Sequence, residues 1–108
     1  MSRRLFLHFW LVLASACADK RSELRAQAEA EKARHAIAAE LTVGDSQSKI
    51  EEFFRRHGWL FDFDQFLVCF RAVVYRAPEK THQVTAYIYV NGKRQLVRTE
   101  VDVAVTFL

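Results

Sequence analysis

Gln83-Val84-Thr85-Ala86-Tyr87-Ile88-Tyr89-Val90, followed at once by Asn91-Gly92, is the stretch whose reading decides the fold. Val84, Ala86, Ile88 and Val90 fall on one side of an extended chain, and Gln83, Thr85, Tyr87 and Tyr89 on the other. Strict alternation over this length marks a half-buried strand, and Asn-Gly behind it is a strong hairpin signal. Residues 94–108 answer as the returning strand. There Val97, Thr99, Val101, Val103, Val105 and Phe107 share one face, while Arg98, Glu100 and Asp102 share the other until Ala104 and Thr106. One apolar and one polar face is the pattern of an antiparallel sheet covered on a single side.

Outward from this hairpin, Ala77-Pro78-Glu79-Lys80 reads as a loop. Residues 66–76 before it form a long apolar run rich in aromatic and β-branched side chains, a third strand. Residues 59–64 alternate, with Phe61 and Phe63 against Asp62 and Asp64, and leave room for a short extra strand near Phe61. Ahead of them lies the cover for the apolar face. Ile50, Phe53, Phe54 and His57 lie on one face of a helix; Ser48 with Glu51 matches a capping box, and Asp45 and Ser46 are alternative caps. Arg55, Arg56 and His57 suit the negative end of the helix dipole, and Gly58 reads as its left-handed stop. Residues 18–41 are alanine-rich and polar, with Arg25/Glu29 and Glu31/Arg34 at helical spacings. Their apolar stripe is thin, namely Leu24, Ala28, Ile37 and Leu41, which predicts a solvated spacer helix docked chiefly through Ile37 and Leu41. The expected architecture is a two-layer α+β domain: two helices followed by a three-stranded antiparallel meander.

The N-terminus carries a different message. Arg3 and Arg4 precede an apolar stretch from Leu5, which closes on Leu13-Ala14-Ser15-Ala16-Cys17. A basic start, a short apolar core and small residues are the parts of an export signal. The cysteine behind them resembles the lipobox of bacterial lipoproteins, with Ala14 where that family prefers a large aliphatic residue. The resemblance implies cleavage before Cys17 and acylation of its new N-terminus. Ala14-Ser15-Ala16 is also an ordinary A-x-A signal-peptidase site. Residues 5–18 are shorter than the ~20 apolar residues of a spanning helix. The predicted organisation is a signal peptide over residues 1–16, a lipidated N-terminus and helical spacer over 17–41, and a small α+β domain over 42–108. Two further readings are an uncleaved anchor and, without acylation, a Cys17–Cys69 disulfide.

Residues 37–108 resemble, in element order and in Gly44 ahead of the second helix, the SmpA/OmlA-like helix-helix-strand-strand-strand lipoproteins of the outer membrane. Ala18 after the cysteine, rather than aspartate, implies by resemblance to enterobacterial lipoproteins an outer-membrane destination facing the periplasm.

Composition narrows the function. The chain has 108 residues, and of its 16 Lys and Arg two lie ahead of Cys17, so that 14 face 13 Asp and Glu. A net charge near +1 without a basic stripe argues against nucleic acid. Asp62 and Asp64 would share a strand face but lack a third oxygen ligand at calcium-loop spacing. Cys69 with His82 is the one thiol–imidazole candidate, and Cys69 sits among apolar neighbours. His35, His57 and His82 show no metal-ligand spacing. No catalytic residue, metal site or cofactor is expected. The candidate interface is Arg71, Tyr75, Tyr87, Tyr89 and Arg98, gathered on the sheet face away from the second helix, because Tyr and Arg are enriched where proteins meet. The sequence therefore predicts an envelope lipoprotein held to a membrane through acyl chains on Cys17. Its predicted role is a non-enzymatic protein-binding or assembly module with an envelope protein as partner. The alternative is an inhibitor or immunity lipoprotein that neutralises a toxin or hydrolase.

Overall fold

The computed structural model describes residues 2–79 and 81–105, with side chains from residue 20 onward. Helix α1 (Ser2–Glu40) and helix α2 (Gln47–His57) precede four strands: β1 (Leu60–Asp64), β2 (Cys69–Arg76), β3 (His82–Val90) and β4 (Leu96–Val105). The strands form one antiparallel sheet in the order β1-β2-β3-β4. The α+β class and the meander stand, but the sheet has four strands where three were expected. The short alternating segment at Phe61 is the fourth. Phe61 and Phe63 pack against the core and so hold β1 in register on β2. The backbone of α1 passes through the expected cleavage point without a break. The Cys17 side chain and residues 106–108 lie outside the described residues. Among the described residues no helix is long and apolar enough to cross a membrane.

Helix α2 forms as its sequence directs. Ser46, rather than Ser48, is the N-cap and accepts from the Lys49 amide; Gly58 ends the helix at φ 70°. Ile50, Phe53 and Phe54 are fully buried against Phe70, Ala72, Ala86 and Ile88. The rings interlock: Trp59 meets Phe53 edge-on at 5.3 Å, Phe54 lies 5.1 Å from Phe61, and Phe63 lies 5.0 Å from Phe70. The fully buried rings of Phe53 and Phe54 each contribute roughly 1.5–3 kcal/mol by leaving water.

Helix α1 departs most from expectation. Leu24 is 61 % exposed and Ala28 is exposed, while Ala26, Ala30, Ala33 and Ile37 are buried. The docking stripe is therefore made of small residues spaced four, three and four apart. Ala26 and Ala30 lie on Val84, flanked by Val74, Val101 and Val103. Small side chains let the helix backbone come close to the sheet, so α1 covers β2, β3 and β4 from Ala26 onward. Its end is tied to α2 by Glu40, which accepts from Arg56 at 2.7 Å and bonds the His57 ring. The His57 hydrogen bond is the main reason the Glu40 carboxyl is held below its ordinary range.

Two register shifts alter the expected faces. One falls between Val73 and Tyr75, so that Tyr75 pairs with Val84. The other leaves Val97 between Arg98, which pairs with Tyr89, and Leu96, which pairs with Val90. Each is an extra residue of the β-bulge kind. Leu96 is buried and Val97 exposed, the reverse of simple alternation; from Thr99 to Val105 the predicted face holds. The Asn91-Gly92 hairpin closes with a longer turn than two residues: the Asn91 amide donates to the Gln95 carbonyl, and Asn91 Oδ1 accepts from the Lys93 and Gln95 amides.

Candidate interaction face

Both helices lie on one side of the sheet, so among the described residues the other side is open. Directly paired residues on neighbouring strands share a face. Two rows therefore cross the open side: Asp62, Arg71, Tyr87, Glu100, and next to it Asp64, Cys69, Tyr89, Arg98. Four of the five residues singled out from the sequence meet there: Arg71, Tyr87, Tyr89 and Arg98. Tyr75 does not join them. The bulge before it turns its side chain to the helix side, where it packs beside Ala26, Ala30 and Val84.

The rows are held by specific contacts. Arg71 donates to both Asp62 oxygens, at 3.2 and 3.0 Å, and reaches Asp64 at 3.4 Å. This fork keeps the Asp62 carboxyl below its ordinary range and raises Arg71 further. Tyr87 and Tyr89 stack at 6.4 Å with 26° between their rings. The Arg98 guanidinium lies 3.7 Å from the Tyr89 ring centre, and the Tyr89 hydroxyl donates to Glu100 at 3.4 Å. Burial pushes the Tyr87 hydroxyl up, with Asp102 adding to it. An open hollow of about 470 Å³ lies beside these rings, lined by Asp62, Arg71, Val73, Thr85 and Tyr87 among others. Cross-strand pairs of this kind contribute roughly 0.2–1 kcal/mol each, so they order the face more than they stabilise the fold.

The other chemical candidates come apart. Asp62 and Asp64 are taken up by Arg71, and Asp64 also accepts from two backbone amides. Among the described residues no cluster of three or more His, Cys, Asp or Glu is placed to hold a metal ion. Cys69 is free and fully buried; desolvation first, and Asp64 next, raise its thiol above the ordinary value. Its partner on β3 is Tyr89, whereas His82 begins that strand, about 23 Å away at ~3.3 Å per residue. Full burial and a raised thiol pKa are the setting of a structural cysteine. Glu100, which anchors Tyr89 and Arg98, was not singled out from the sequence. Its position opposite Tyr87 depends on the bulge at Val97, which alternation does not reveal.

No family model matches the chain, and neither does any curated protein or solved structure.

Proposed function

We propose that this chain is a membrane-anchored bacterial envelope lipoprotein that acts as a non-enzymatic protein-binding or assembly module. The observation that carries the binding part is the uncovered face of the sheet. The sheet's apolar side is covered by two helices, while the other presents stacked Tyr87 and Tyr89 with Arg98 laid on one ring and Arg71 beside the other. Rings and guanidinium groups already held in place lose little freedom when a partner arrives, and such residues dominate binding energy at protein interfaces. The anchor rests on the sequence: Arg3, Arg4, the apolar stretch and Cys17. Acyl chains contribute ~0.8 kcal/mol per buried CH₂. Helix α1 docks on the sheet from Ala26 onward, so about 13 Å of helix at 1.5 Å per residue separates Cys17 from the domain. The partner is thus met close to the membrane.

Two readouts test this. The intact mass of the membrane-fraction protein is expected to begin at Cys17 and carry acyl chains, both lost in Cys17→Ala. Tyr87→Ala with Tyr89→Ala is expected to abolish co-purification of the envelope partner while leaving the acylation unchanged. An unmodified mass in the soluble fraction sinks the anchor; undiminished co-purification sinks the binding face.

A further inference from the structure

The most exposed large apolar side chain among the described residues, Phe66, lies at one end of the sheet, and Leu60, 84 % exposed, at the other. Phe66 is 99 % exposed, Val43 72 % and Leu67 52 %, and Val68 stands beside them. The sequence places Phe66, Leu67 and Val68 in a strand; the structure places them in the β1–β2 turn. In an antiparallel meander the β1–β2 and β3–β4 turns project from the same end. The segment 42–45 joins them there, because the Gly44 amide donates to the Leu96 carbonyl at 2.8 Å and the Leu96 amide to the Asp45 carbonyl at 2.9 Å.

We infer that this end, built from residues 42–45, 65–68 and 91–95, is a tip that enters the interface of an anionic lipid bilayer. Its apolar residues are held outward. Asp64 Oδ1 accepts from the Phe66 and Leu67 amides at 2.9 and 3.0 Å, and the Val90 amide donates to the Val68 carbonyl at 3.1 Å. The turn is thereby fixed with Phe66 in water, with no rearrangement needed to present it. The charge around it points to the occupant. Lys93 and Arg94 flank the tip, and neither has a carboxylate partner among the described residues. The Arg94 guanidinium is laid over the Phe63 ring at 3.8 Å. The acids nearby are already engaged: Asp64 by Arg71 and two amides, Asp45 by Lys49. An exposed apolar tip flanked by such cations matches the boundary between acyl chains and anionic headgroups, which needs no complementary pocket. The inference is independent of the open sheet face and of acylation. With Cys17 anchored as well, the two contacts lie about 35 Å apart along α1 at 1.5 Å per residue.

The test places a tryptophan at the tip of the full chain. Phe66→Trp, read against the wild-type background of Trp10 and Trp59, is mixed with equimolar phosphatidylcholine and phosphatidylglycerol vesicles carrying brominated acyl chains. The expected result is a blue-shifted emission from the introduced indole, quenched by bromine and shielded from iodide. In Leu60→Trp, at the other end of β1, the introduced indole is expected to stay in water. Lys93→Gln with Arg94→Gln, in the Phe66→Trp background, is expected to weaken the quenched state by about fivefold for each cation removed. An indole in Phe66→Trp as accessible to iodide with vesicles as without overturns the inference and leaves the tip to a protein. Equal bromine quenching in Leu60→Trp overturns it as well, because the whole surface would then be adsorbing.

Discussion

The two faces of the sheet solve different problems with the same four strands. The helix side is filled by Phe70, Ala72, Val84, Ala86 and Ile88, closed by Phe53, Phe54 and the alanines of α1. The open side is a lattice of Asp62, Arg71, Tyr87, Tyr89, Arg98 and Glu100 linked across strands in contact with water. Apolar burial is non-directional and adds up with area, so the helix side sets the stability. Exposed ion pairs contribute ~0–1 kcal/mol each, so the open side orders a surface instead. Stability and the proposed recognition are thus separated by one strand thickness, and substitutions on the two sides are expected to separate in the same way.

The largest effect is expected from the helix side. Phe53→Ala removes a fully buried ring and is expected to cost about 3–5 kcal/mol in denaturant unfolding. A cost under ~1 kcal/mol would mean that the α2 cover is not tightly packed. Ala30→Leu is next. It forces a large side chain between α1 and Val84 and is expected to cost about 1–3 kcal/mol. An unchanged midpoint would show that α1 does not dock closely. The open side is expected to respond weakly in stability: Tyr89→Ala loses its stacking on Tyr87 and its cation contact, about 0.2–1 kcal/mol, together with partner binding. The smallest effect concerns the link between the helices. The folded Glu40 carboxyl sits below its ordinary range, so its contribution is present above that range and is lost as pH falls through the lowered folded value. Glu40→Gln is therefore expected to lower the urea midpoint slightly near neutrality and to leave it unchanged once the wild-type carboxyl is protonated. An equal loss at both ends of the pH range would show that the carboxylate charge is not what links the helices.

The sequence made some of this legible and hid the rest for physical reasons. The β3 alternation, the apolar face of α2 and its Gly58 stop are local signals, and each appears in the structure. The docking stripe of α1 was not visible. Alanine scores as a helix former wherever it stands, and only the close approach of Val84 distinguishes Ala26 and Ala30 from the exposed Ala28. The bulges at Val74 and Val97 were also hidden, since an extra residue obeys no period; they moved Tyr75 off the open face and brought Leu96 into the core. Phe66-Leu67-Val68 read as strand because its composition is that of a strand. The Asp64 carboxylate, accepting from the amides ahead of it, makes the segment a turn.

The most direct test of the division between the faces is site-specific photocrosslinking in intact cells, with a benzophenone side chain placed in turn at Tyr87, at Glu100 and at the exposed helix position Glu52. The account predicts one discrete adduct from Tyr87 and Glu100 and none from Glu52. Adducts from Glu52 alone, or none from the sheet, would contradict it and move the recognition surface to the helices.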